Sequence, residues 1–280
     1  MRITLCGTRG STPAPGLDYI RYGGHTSCLA FTADGAEVPE LILDAGTGIR
    51  EVTRQLNGGA FRGTIALTHL HWDHVHGLPF FRGGDRDDAS VRLLLPAPGG
   101  GSDALATLAR GMSPPHFPIT PNQLRGDWQF SGIEPGLIRL GSLTLLARDI
   151  PHKGGRTFGY RVSDGSHSIA YLPDHCPTDL GPGPAGLGAY HDAALELADG
   201  VDILMHDSFW YAEDFDPKLT FGHAAAEYAV GLAEAAGAQR VMLLHHRPDR
   251  TDTDLDKLLD SIHASGVPVT LAADGQVICL

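Results

Sequence analysis

Short apolar runs broken by Gly, Pro and Asp recur along the whole chain and set its expected architecture. Runs rich in Ile, Val, Leu and Thr predict strands at 2–8, 26–33, 40–44, 63–69 and 90–95. Further strands are expected at 142–150, 158–163, 167–172, 202–206, 240–245, 268–272 and 276–280. Apolar residues at helical spacing predict helices over 48–56, 102–110, 190–198, 224–236 and 255–264. Strands come first, then strands mixed with helices, in two roughly similar halves. That order predicts an α/β (α+β) chain in which two sheets pack face to face under outer helices, one domain over 1–280. Pro/Gly-rich stretches at 96–101, 113–121 and 181–188 read as loops, and His116 and Phe117 make the second a candidate pocket wall. Gly77-Leu78-Pro79-Phe80-Phe81 reads as core packing of a following helix.

The densest chemistry follows the apolar run 64–68, in His69-Leu70-His71-Trp72-Asp73-His74. Strand alternation would point His69 and His71 the same way, and a turn would swing Asp73 and His74 back toward them. Imidazole nitrogens and carboxylate oxygens are the ligands that zinc and similar divalent ions take. More candidates sit where apolar strands end: His152, Asp174, and His245 with His246 beside it. One group delivered per strand rim is how a rigid scaffold assembles a site from distant sequence.

Bulk composition narrows the partners. With 33 acidic and 21 basic residues the net charge is −12, which disfavours a long nucleic acid held by a broad basic surface. Hydrophobic content of 42% and charged content of 19% fit an ordinary soluble domain. The N-terminal residues form no signal peptide and no stretch could span a bilayer, so no membrane is expected. Cys6, Cys28, Cys176 and Cys279 form no C-x-x-C pair, and a cytoplasmic location follows.

The chain resembles the metallo-β-lactamase superfamily, whose His-x-His-x-Asp-His motif matches residues 69–74. Within it, the chain is similar to the phosphodiesterase branch that includes ribonuclease Z. Segments 5–13, 43–48, Gly222-His223, Leu244-His245 and 273–275 carry that likeness, which spans essentially the whole chain. The resemblance implies a four-layer αββα sandwich and two divalent metal ions, Zn²⁺ first and Mn²⁺ as the substitute. It assigns His69, His71 and His152 to one metal, Asp73, His74 and His245 to the other, and Asp174 to both; His246 competes with His245. It also implies that His223, held by Asp207, protonates the leaving group, and that Asp73 orients the attacking water. A homodimer is compatible with this family.

Five further residues are open on the sequence. His206 reads as an outer partner of the metal site, and His25 as either a cleft residue or a surface-turn residue. Gly7-Thr8-Arg9-Gly10 lacks the Gly-Lys-Ser/Thr ending of a nucleotide loop, so it reads as a tight turn bringing Ser11 and Thr12 to the site. Arg9 is then a candidate contact for a substrate phosphate. The function expected first is hydrolysis of a small phosphodiester, a cyclic nucleotide or sugar phosphate. A ribonuclease Z-type endonuclease for transfer RNA is the second reading, and a non-catalytic metal carrier the third.

Overall fold

The computed structural model describes residues 1–97, 103–262 and 266–280. Fourteen strands are present among them: β1 (Arg2–Gly7), β2 (Cys28–Thr32), β3 (Leu41–Leu43), β4 (Arg62–Ala66), β5 (Ser90–Leu95), β6 (Asp127–Gly132) and β7 (Gly136–Leu140). The remainder are β8 (Leu143–Ile150), β9 (Thr157–Ser163), β10 (Ser168–Leu172), β11 (Ile203–Asp207), β12 (Val241–Leu244), β13 (Val269–Leu271) and β14 (Val277–Cys279). Helices are α1 (Ile49–Gln55), α2 (Trp72–Val75), α3 (Ala104–Ala109), α4 (Asp192–Ala198), α5 (Ala226–Ala236) and α6 (Asp252–Ile262). Predicted helix ends at 102 and 263–264, and loop positions 98–101, lie outside the described residues.

The strands form two seven-stranded sheets, ordered β14-β1-β2-β3-β4-β5-β6 and β13-β12-β11-β10-β9-β8-β7. Each sheet is antiparallel through one half and parallel through the other, with the change at β3 and at β10. Ile3, Leu5, Phe31 and Leu43 of the first sheet pack against Leu145, Phe158, Val162 and Ile169 of the second. Two further clusters cover the outer faces. Ile49, Val52 and Leu108 lie over the first sheet, and Leu197, Leu232, Leu255 and Leu258 over the second. The layers are therefore helix, sheet, sheet, helix. Central strands such as β2 and β10 are buried at every position, which is why they read as unbroken apolar runs.

Two strands escaped the sequence pattern. β6 and β7 are half-exposed outer strands with Asp, Gln, Ser, Gly and Arg among few apolar residues, so neither gives a strong apolar run. A third difference matters more for function. The strand expected over 63–69 stops at Ala66, because the Asp44 carboxylate accepts the Thr68 amide N–H at 2.7 Å. Strand alternation therefore does not align His69 and His71; a loop and the single turn of α2 do. The 77–81 segment is also corrected: Leu78 and Phe81 are buried in a 3-10 turn, but Phe80 is 60% exposed.

Candidate metal centre

All seven residues expected to hold metal converge at the strand ends between the two sheets. Nitrogen and oxygen atoms of His69, His71 and His152 lie within 4.8 Å of one another, as do those of Asp73, His74, Asp174 and His245. Asp174 lies between the two groups. Its Oδ1 is 3.9 Å from His69 Nε2 and 3.6 Å from His152 Nε2, while its Oδ2 is 2.9 Å from His74 Nε2 and 3.3 Å from His245 Nδ1.

Several of these side chains are fixed from behind. Asp44 Oδ2 accepts from the His74 Nδ1–H at 2.9 Å and from the Tyr171 hydroxyl at 3.0 Å, and Thr68 bonds the same carboxylate. Asp44 has φ 60° and His245 has φ 56°, a left-handed backbone costing about 1–3 kcal/mol each and tolerated where the surroundings dictate it. Gly10 has no side chain because a Cβ there would lie 2.3 Å from the His245 ring. Gly222, at φ 96°, lets its carbonyl accept from the His152 Nδ1–H at 2.6 Å. The Ser11 amide donates to Asp73 Oδ2 at 2.7 Å, as the turn after β1 was expected to allow.

The donor set fits a cation centre. His69 Nε2, His74 Nε2, Asp174 Oδ2 and His245 Nε2 are buried and make no hydrogen bond of good geometry, His74 Nε2 and Asp174 Oδ2 meeting only as an ion pair at 2.9 Å. Leaving one such atom unsatisfied costs about 1–3 kcal/mol, so four at one point are explained by a positive ion among them. His71 Nδ1 and His152 Nε2 likewise face each other at 3.2 Å. Charge balance agrees. Burial disfavours the Asp174 carboxylate, yet His245, His74 and His69 hold it well below the usual range.

His223 stands beside this cluster. Its Nδ1–H donates to Asp207 Oδ2 at 3.0 Å, so Asp207 reaches the ring. Asp207 is itself held by the amides of His175, Phe209 and Ala224. Burial disfavours a charged His223, but Asp207, then Asp174 and Asp73, outweigh it and raise the imidazole. His152, Asp174 and His223 also lie close enough to form a third candidate triplet. The 3.0 Å bond to Asp207 occupies Nδ1, the His223 atom that lies 3.7 Å from Asp174.

Other expectations are corrected. Arg9 is fully buried and ties the carbonyls of Gly23, Arg247 and Arg250 together, so it is a loop clamp that no substrate phosphate reaches. His246 points away from the cluster and bonds the Ala272 carbonyl. His206 does not touch the cluster either. Its Nδ1 bonds the Asp207 carbonyl and its Nε2 meets His175 Nδ1 at 2.9 Å, while His175 Nε2 meets His191 Nε2 at 2.8 Å. No spacing among residues 175, 191 and 206 announces this file of rings. His25, His116 and Phe117 line a cavity of about 1590 Å³ that opens beside His69 and His71.

The comparisons agree with this geometry. The model of the β-lactamase superfamily domain matches residues 40–246. A ribonuclease Z of Haloarcula marismortui is 24% identical over 99% of this chain and 96% of its own length. Another, of Limosilactobacillus fermentum, is 27% identical over 65% of this chain and 68% of its own. The metallo-β-lactamase fold protein YhfI of Bacillus subtilis superposes with a TM-score of 0.71 at 18% identity, over 99% of both chains. This chain belongs to the metallo-β-lactamase superfamily, is similar within it to the ribonuclease Z-like branch, and is a metal-dependent hydrolase.

Proposed function

We propose that the chain, acting as one domain, hydrolyses a small phosphodiester, a cyclic nucleotide or sugar phosphate, at a dinuclear centre. The observation that carries the reading is Asp174, whose two oxygens face two separate sets of ligand atoms. In this reading His69, His71 and His152 hold one ion, Asp73, His74 and His245 the other, and Asp174 both. Zn²⁺ suits the nitrogen-rich set, with Mn²⁺ as a functional substitute. When bound, such a pair lowers the pKa of water and neutralises charge on the phosphoryl oxygens.

The chain's own groups do the rest. Asp73, with Oδ2 pinned by the Ser11 amide, orients the attacking water. His223, its charged form favoured by Asp207, holds one hydrogen on Nδ1 toward that carboxylate and, as the imidazolium, a second on Nε2 that it gives to the departing alkoxide. The likeness of the Gly222-His223 segment to the phosphodiesterase branch favours a diester over a lactam. Free Cys6, Cys28, Cys176 and Cys279 suit a reducing cytoplasm, and no described helix is long and apolar enough to cross a membrane.

Transfer RNA processing is the second reading, favoured by the ribonuclease Z relatives that match up to 99% of the chain. The net charge of −12 speaks for the smaller substrate. Turnover of bis-p-nitrophenyl phosphate with Zn²⁺ or Mn²⁺ tests hydrolysis; a protein loaded with metal yet inert would be a carrier. With a diester whose leaving group is an alkoxide, His223→Ala should lower kcat by about 10²–10⁴-fold at unchanged metal content. Cyclic nucleotides set against precursor transfer RNA then divide the two substrate classes.

A further inference from the structure

The large cavity beside the cluster has a wall whose chemistry the hydrolytic centre does not use. Trp72 is 71% exposed on it, and its indole stacks on His76 at 5.3 Å and 16°, leaving the outer face bare. Phe80 also faces the cavity, edge-on to Phe117 at 5.8 Å. Exposed aromatic surface of this extent is unfavourable in water and marks a place where an apolar or planar group docks.

Charge on the same wall runs against the rest of the molecule. The lining carboxylates are already met, Glu51 by Arg54 and Asp85 by Arg125. Arg50, Arg82 and Arg110 line the cavity with no carboxylate partner among the described residues. On a chain of net charge −12, three unpaired guanidinium groups facing one cavity make a local positive field. Guanidinium forks match phosphate oxygens, and aromatic faces match nucleobases. The cavity of about 1590 Å³ exceeds the roughly 300–1,000 Å³ of a single small-ligand site, so it has room beyond the scissile group.

We infer that this wall seats a nucleotide diester bearing a second phosphate, with a base on Trp72 and the extra phosphate on Arg50 and Arg82. The inference rests on the phosphodiesterase reading and names its substrate class. Trp72 lies between His71 and Asp73 in sequence, so a base stacked there sits next to the groups that would hold metal. The second phosphate explains why arginines without partners line the cavity outside the cluster.

Binding is measured on metal-free protein by quenching of tryptophan fluorescence, with the dinucleotide ApA and its 5′-phosphorylated form pApA as probes. Stacking on Trp72 should quench emission, with pApA binding about 10-fold tighter than ApA, as one good charge-assisted phosphate contact of ~1.4 kcal/mol gives. Trp72→Leu should abolish the quench while its melting temperature stays close to wild type. Arg82→Gln and Arg50→Gln should each shrink the pApA preference below about 3-fold, and Arg82→Lys should restore part of it. Absence of quenching, quenching that survives in Trp72→Leu, or equal affinity for the two probes in the wild type overturns the inference. Hydrolysis of bis-p-nitrophenyl phosphate by the metal-loaded enzyme is read separately. Turnover without dinucleotide binding removes only the wall; dinucleotide binding without turnover supports the wall and removes the phosphodiesterase reading.

Discussion

The two sheets contribute to the centre in opposite ways. From the first, His69, His71, Asp73 and His74 arrive in one six-residue segment, braced by Asp44. From the second, His152, Asp174 and His245 arrive singly after β8, β10 and β12, while β11 ends in Asp207, which holds His223. A contiguous segment places several groups through one loop, so its geometry hangs on that loop and the carboxylate behind it. Groups carried on separate strands are placed by the sheet itself, and each can fail alone.

The sharpest break of this contrast is at the residue that joins the two sides. Asp174→Asn should cut hydrolysis by more than the ~10–100-fold that outer partners cost, and drop bound metal below two per chain by elemental analysis. Asp44→Asn tests the brace. It leaves every candidate ligand in place but disturbs the bonds to His74, Thr68 and Tyr171. A metal affinity lowered about 10–100-fold, with about 1–3 kcal/mol of stability lost in denaturant unfolding, is expected. Unchanged affinity would show that the segment holds its own shape.

Gly222→Ala addresses one strand-borne group. At φ 96°, with its Cβ 2.8 Å from His152 Nδ1, alanine must displace that ring, and activity should fall about tenfold while the fold survives by circular dichroism. The smallest effect expected lies on the loop between β13 and β14. Burial pushes Asp274 up to about 6, against hydrogen bonds from His25 and Thr8 that favour its charge. A carboxyl raised on folding binds more protons in the native state between the unfolded value near 3.9 and 6, so its contribution to stability falls as pH rises through that window. The melting-temperature gap between wild type and Asp274→Asn should therefore narrow by a few degrees from pH 4 to pH 7. A gap that widens would reverse the sign of this account.

The same contrast decides what could be read from sequence. The 69–74 segment was visible because its residues are adjacent, even though the strand drawn through it ended three residues early, where Asp44 takes the Thr68 amide. His152, Asp174 and His245 were visible because an apolar run stops just before each. The interior strands were legible for the same reason, whereas β6 and β7 lie at sheet edges and dilute their apolar residues with polar ones. The arginine and aromatic wall was not legible, since it gathers residues from distant segments by folding alone. Arg9 misled because an arginine beside a glycine turn looks like a phosphate contact until its burial is known.

The file of rings at His206, His175 and His191 has a consequence for where protons sit. Burial lowers all three imidazoles, His175 furthest, so each is neutral and carries one hydrogen. A carbonyl only accepts, so His206 must carry its hydrogen on Nδ1 to meet the Asp207 oxygen, and its Nε2 is left as a lone pair. His175 must then be the Nδ1–H tautomer and His191 the Nε2–H tautomer. One peptide oxygen thereby dictates the tautomer of three successive rings, and nitrogen chemical shifts should report a single arrangement with no exchange between alternatives.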